Sequence, residues 1–169
     1  MRLAQRINAE PKKRAEIMHR MADIDMSRLD LPSALRTYEQ IKGIEPNDER
    51  ARRSLIDLHY RRNNPGEAVK ELDGLLRIFA QNRRGDLIVG TLEELVTRMP
   101  NDMALRSRLA AVYRQIKRIP DAVAQLDALG ELQLEAGMIP DACATIKQIV
   151  QLQPNDSTQY RDLLLQLGC

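Results

Sequence analysis

The chain is 169 residues long, 43% apolar and 30% charged, which excludes a disordered polypeptide and permits a buried core. Its 26 basic and 24 acidic side chains leave a formal charge of +2, too small to indicate a nucleic-acid partner by itself. Aromatics are 3%, β-branched residues never alternate with polar ones over a useful length, and no stretch approaches the roughly 18 consecutive apolar residues that span a bilayer. Strands and membrane helices are therefore not expected, and the chain reads as all-α.

Residues 2–9 offer only Leu3 and Ile7, about two turns of helix. Pro11 opens a segment to about Arg28, with Ile17, Met18, Met21 and Ile24 as its expected inward face. Asp30-Leu31-Pro32 starts a helix to about Lys42 that buries Ala34, Leu35, Tyr38 and Ile41, and Gly43 is its expected stop. Asp48 caps a helix to about Arg62, where Ala51, Leu55 and Leu58 follow the spacing of a buried stripe. After the turn Asn63-Asn64-Pro65-Gly66, a helix to about Gln81 carries Ala68, Leu72, Leu75, Leu76 and Phe79. Asn82-Arg83-Arg84-Gly85 breaks the chain, and Asp86 begins a helix with Ile88, Leu92 and Leu95. Leu105, Leu109, Val112 and Ile116 mark the next segment. Ala122, Leu126, Leu129 and Leu134 line a helix ending at Gly137. Pro140 opens one with Ala142, Ile146 and Ile149, and Asp156 or Ser157 caps a last one with Leu163, Leu164 and Leu167. The count expected is about eight helices plus a short N-terminal remnant, joined by tight connections that force antiparallel neighbours.

A triplet organises these segments. Pro46-Asn47-Asp48, Pro100-Asn101-Asp102 and Pro154-Asn155-Asp156 recur at an interval of 54 residues. Proline cannot continue a helix, and Asp or Asn accepts a hydrogen bond from the free N–H groups of the next. Capping also explains Asn155-Asp156-Ser157 better than glycosylation does. Folded on 54, Tyr38, Leu92 and Ile146 coincide, as do Met18, Leu72 and Leu126, and Leu55, Leu109 and Leu163. A three-helix unit therefore repeats. The chain is read as one domain, 1–169, with a partial unit at 1–47, whole units at 48–101 and 102–155, and a partial one at 156–169.

Residues 123–156 resemble a tetratricopeptide repeat in Leu129-Gly130, Gly137, Ala142, Ile146 and Pro154, departing from the pattern at Leu126 and Gln133. Degenerate matches cover 15–48, 49–82 and 103–136. The resemblance implies an α-solenoid of helical hairpins in a right-handed superhelix, with a protein or peptide as partner and the first helix of each pair lining the concave surface. Signature alanines at 34, 68, 122 and 142, with Ile88 standing in for a fifth, give steps of 34, 20, 34 and 20. The helices at 66–81 and 120–136 thus read both as the second of one pair and as the first of the next.

Catalytic signals are sparse. The sequence has no glycine-rich phosphate loop, no CxxC pair and no zinc-protease helix. His19 and His59 read as partly buried structural residues, and Tyr38, Tyr113 and Tyr160 as core. Glu93-Glu94 reads as a solvated pair. Cys143 reads as a small core residue and Cys169 as a terminal thiol. Two cysteines make no disulfide framework, and with no signal peptide they point to a reducing, cytoplasmic location. No cofactor, metal or membrane is expected.

The functional candidate is the Arg-rich helix 50–62. By analogy with the concave face, the expected partner-binding residues are Arg53, Asp57, Tyr60, Arg61, Arg108 and Arg114, which suit an acidic peptide or helix. The reading is a non-catalytic interaction scaffold. Its alternatives are a nucleic-acid-binding repeat using the same helix, and a helical enzyme or enzyme-regulatory subunit. Residues 1–84 hold 18 basic and 13 acidic side chains (+5) against 8 and 11 (−3) in 85–169. Apolar faces at the array ends predict self-association or adjoining domains.

Overall fold

The computed structural model describes residues 11–152 and 157–169. The short segment at 2–9 and the triplet Pro154-Asn155-Asp156 lie outside the described residues. Helices account for every regular element among the described ones. They divide into two compact units, with the boundary between Arg84 and Gly85.

The first unit contains α1 (Pro11–Ser27), α2 (Leu31–Ile44), α3 (Glu49–Arg61) and α4 (Pro65–Gln81). The second contains α5 (Gly85–Arg98), α6 (Met103–Gln115), α7 (Ile119–Glu135), α8 (Ile139–Gln151) and α9 (Ser157–Leu167). These nine helices among the described residues are one more than the eight expected, one for each of the nine periodic segments in the sequence.

Two kinds of turn build this arrangement. In the first, a residue with positive φ ends a helix and its neighbours bond back to carbonyls of the last turn. Leu29, Asn63, Arg83, Lys117 and Gly137 have φ between 54 and 72°. After each, the next N–H reaches the carbonyl five residues back: Asp30 to Asp25, Asn64 to His59, Arg84 to Phe79, Arg118 to Tyr113 and Met138 to Gln133. The paired bonds are those of a Schellman cap. Each such residue stands five before a repeat position (34, 68, 88, 122, 142), so the steps of 34 and 20 are the spacing of these caps. Gly137 is free of the left-handed penalty and Asn63 tolerates the conformation, whereas Leu29, Arg83 and Lys117 give no such signal.

The second kind is the Pro-Asn-Asp break. Asp48 accepts from Ala51 N at 2.7 Å, and Asp102 accepts from Ala104 N and Leu105 N at 2.9 and 3.1 Å. In both described copies the Asp N–H also bonds to a carbonyl three residues back, on Glu45 and Met99. Within each unit, the pairs joined by Schellman turns pack closely, namely α1 with α2, α3 with α4, α6 with α7, and α7 with α8. Pairs joined through a Pro-Asn-Asp break, α2 with α3 and α5 with α6, touch more lightly. Helix α7 is thus a hairpin partner on both sides, the double role expected of 120–136. Each unit is a short stack of antiparallel hairpins, as in an α-solenoid.

The core of the first unit gathers Ala15, Met18, Ala22, Ala34, Tyr38, Ile41, Ala51, Leu55 and Leu58. Three expectations are corrected here. On α1 the inward residues are Ala15, Met18, His19 and Ala22, while Ile17, Met21 and Ile24 are 58%, 54% and 49% exposed. Alanines at the contact let α1 approach its neighbours, and that closeness turns the larger stripe outward. Gly43 does not stop α2, which runs on to Ile44 and caps at Glu45, immediately before Pro46. On α6 the inward side ends with Tyr113, and Ile116 caps the helix, 45% exposed.

The cysteines are a fourth correction. Cys143 is buried as expected, but Cys169 is not a free thiol: the two form a disulfide, with Cα atoms 6.1 Å apart. Sequence separation hid the pair, because a Schellman turn at Gly168 (φ 76°) brings the chain end back over α8.

Candidate functional site: a groove in the second unit and a basic helix in the first

Since α7 pairs with both α6 and α8, those two helices flank it on either side. The result is a groove of about 340 Å³ continued by a recess of about 170 Å³, sharing Ser107, Leu126 and Gln148. Helix α6 contributes Met103, Ala104, Ser107, Ala110, Ala111 and Arg114, the 3–4 spacing of one face. Leu126, Leu129 and Gln133 come from α7. The far wall is Asp141, Ala144, Thr145 and Gln148 of α8, with Met138 at its entry.

The floor is apolar at Leu126 and Leu129, the walls mix small and polar side chains, and a charge stands near each end. Arg114 stands at the C-terminal end of α6, and Asp141 in the first turn of α8. Thr145 Oγ1 donates to Gln133 Oε1 at 2.7 Å, which ties α8 to α7 and leaves the Gln133 amide nitrogen as a donor.

Of the six expected contact residues, Arg114 lines the groove. Arg108 does not: it is half-buried and its Nη1 donates to Ala104 O on its own helix at 3.2 Å. Arg53, Asp57, Tyr60 and Arg61 belong to α3 in the first unit. Shifted by the 54-residue period, Arg53, Asp57 and Tyr60 correspond to the groove residues Ser107, Ala111 and Arg114. Arg61 corresponds to Gln115, outside the lining, and its guanidinium is 2.8 Å from Asp57.

Much of the basic charge in the first unit is already engaged. Arg50 Nη2 lies 2.8 and 2.6 Å from the two oxygens of Asp23. Phe79 is fully buried, with the guanidiniums of Arg53 and Arg84 at 5.4 and 5.2 Å from its ring centre. Arg84 also reaches Glu49 at 2.6 Å. The same device closes the turn after α6, where Arg118 lies 4.4 Å from the Tyr113 ring and bonds to Glu93 and Asp121. Burial, together with a 2.6 Å hydrogen bond to Glu93, pushes the Tyr113 hydroxyl up to about 12. Burial likewise raises Tyr38.

His19 and His59 are buried as expected, and His19 Nε2 meets Asp48 Oδ2 at 2.8 Å. Among the described residues, no group of three or more His, Cys, Asp or Glu side chains is placed to hold a metal ion. No helix described is long and apolar enough to cross a membrane.

The fold is tetratricopeptide-like. That rests on the chain's own hairpins and on the buried repeat positions Ala34, Ala68, Ala122 and Ala142. No family model and no curated protein matches the sequence. Among solved structures, MamA from Desulfovibrio magneticus RS-1 is similar at 15% identity and a TM-score of 0.42, over 91% of this chain and 93% of that one. YrrB, described as a TPR protein with an unusual peptide-binding site, has 15% identity and a TM-score of 0.34, over 84% and 87%. A thermophilic TPR protein of Thermus thermophilus gives 16% and 0.35, over 90% and 98%.

Sequence reasoning missed most of the groove. Ala104, Ser107, Ala111 and Ala144 are good helix residues and read as filler. The usable signal was a row of small residues, at steps of 3 and 4, beside the buried stripe of Leu105 and Leu109.

Proposed function

We propose that the chain is a non-catalytic, cytoplasmic protein-interaction scaffold that holds a peptide or helix in the groove of the second unit. The observation that carries this is the groove itself, an apolar floor between two helices with donors and charges at its margins. Small side chains on α6 and α8 let a partner backbone come close, and Gln133, Ser107 and Gln148 supply hydrogen bonds. An acidic residue of the partner meets Arg114. On α3, Arg53, Asp57 and Tyr60 form the corresponding contact face of the first unit. The nucleic-acid alternative loses ground, since Arg50, Arg52, Arg61 and Arg84 already face carboxylates.

The test is selection of a displayed random-peptide library on the full chain, with Ala111→Trp as a groove-filled counterpart. Enriched peptides should bind the wild type, lose the Ala111→Trp protein and weaken against Arg114→Glu. Peptides that bind all three equally would refute the groove.

Self-association is a second proposal, favoured by a separate observation. Ile17, Met21 and Ile24 form an exposed apolar row on the +5 unit, and the −3 segment coincides with the other unit. Light scattering over a dilution series should show a salt-sensitive dimer or chain that Met21→Glu disperses. A monomer at every concentration and at low salt would remove this proposal.

A further inference from the structure

The most distinctive covalent feature lies away from the groove. Helix α9 has eleven residues and none of them is buried. Leu163, Leu164 and Leu167 are half-covered, Leu165 is 79% exposed, and Tyr160 packs against the cluster that Ala110, Leu126, Leu129 and Ile149 form. A helix this short is marginal without tertiary support. Its support is a light contact with α8, the packing of Tyr160 on that cluster, and the Cys143–Cys169 bond at its far end. The two sulfurs differ in access: Cys143 is 7% exposed on α8, whereas Cys169 is the exposed chain terminus.

We propose that Cys143–Cys169 is a redox-operated clasp that fastens α9 onto the second unit. Its reduction releases α9 and uncovers the apolar side of α8 around Cys143 and Ile149. The reductant is a cellular thiol or dithiol. Its thiolate attacks the accessible Sγ of Cys169, the S–S bond breaks, and the electron pair leaves on Sγ of Cys143, which takes up a proton. A second thiol then displaces Cys169 from the mixed disulfide. Two protein thiols result, and the reductant becomes its own disulfide.

The consequence reaches the groove through Tyr160. The cluster on which it packs shares Ala110, Leu126 and Leu129 with the groove lining, so loss of α9 loosens the floor on one side while exposing a new apolar face on the other. In a reducing cytoplasm the clasp is open at rest and closes on oxidation. The proposal concerns α9 and the two cysteines, and it stands whether or not the groove binds a peptide.

The experiment is amide hydrogen exchange on the full chain, oxidised with glutathione disulfide and then reduced with dithiothreitol, with thiols counted in each state. Oxidised protein should show no free thiol and a Cys143–Cys169 cross-linked peptide. Reduction should speed exchange across 157–167 by about tenfold or more while 65–81 stays unchanged. Reoxidation should restore protection. Cys169→Ser, at an exposed position, should behave as the reduced form in both buffers. Two titratable thiols after oxidation, or equal exchange of α9 in both states, would overturn the proposal.

Discussion

The two units solve one packing problem with different chemistry. In the second, Arg106 reaches back to Pro100 O at 2.6 Å and across to Gln125 Oε1 at 3.0 Å. Fifty-four residues earlier, Arg52 makes the corresponding bonds to Pro46 O, at 3.2 and 3.0 Å, and to Glu71 Oε2 at 2.9 Å. The arginine thus ties a Pro-Asn-Asp break to the following hairpin in both units, but only the first buries a carboxylate. Glu71 is 8% exposed and takes a second cation, Lys42 Nζ at 2.6 Å. Burial works against the charge on Lys42, and its hydrogen bonds to Glu39 and Glu71 outweigh that and leave its pKa raised. The second unit has Val96 where Lys42 would be, and the neutral Gln125 follows from that. A buried carboxylate is tolerable where two cations meet it, and an amide is used where only one does.

Space differs as well. A Cβ on Gly74 would lie 2.3 Å from Arg52 Nη1, so the guanidinium would have to shift to make room for it. The corresponding residue in the second unit is Ala128.

The largest expected effect is at the carboxylate. Glu71→Ala leaves Arg52 and Lys42 facing each other half-buried and should cost about 3 kcal/mol in urea unfolding. Gln125→Ala should cost about 1 kcal/mol. Equal losses would erase the distinction between the units.

Gly74→Ala sharpens it further through a change of sign. In the wild type, the displaced arginine outweighs the helical gain, for a net loss of about 1 kcal/mol. With Arg52→Ala already present, the same substitution should stabilise by about 1 kcal/mol. Loss in both backgrounds would mean that Arg52 is not what Gly74 accommodates.

A third comparison is one of pH. Phe79 and Tyr113 occupy the same place before a Schellman turn, 34 residues apart, and only the second titrates. Its folded pKa of about 12 lies above the ordinary 10.0. The stability it adds is complete below about pH 10 and declines as pH rises from there to about 12, because the unfolded tyrosine ionises first. Tyr113→Phe should flatten that decline. The difference between the two proteins is the readout, since Tyr38 is also raised by burial.

The smallest effects belong to the arginines over these rings. Arg84→Ala and Arg118→Ala should each cost about 0.5–1 kcal/mol, reduced by salt where the carboxylate partners contribute. A loss confined to one of them would show that the two turns are not equivalent.

The 54-residue period, the helical segments and the caps at Asp48 and Asp102 were legible, because proline and a capping carboxylate act locally. The orientation of α1 was not. Ile17-Met21-Ile24 and Ala15-Met18-Ala22 are both acceptable stripes, and only the closeness of α2 selects the smaller one. Leu29, Arg83 and Lys117 carry no mark of a left-handed turn, so the common spacing of the turns was visible only as the steps between alanines. Of the candidate groove, Arg114 could be read from its place on a helix equivalent to the basic one. Ala111 and Ala144 could not, since a small residue that makes room looks the same as one that merely favours a helix. The clasp joins positions 26 residues apart, a pairing set by where α9 packs.

The most direct test of the scaffold reading is a hydrogen-exchange footprint of a library-selected peptide on the full chain. Protection on the backbone of 103–114 and 138–148, absent in the Ala111→Trp protein, is the result expected. Protection elsewhere, or an unchanged footprint in the groove-filled variant, would contradict it.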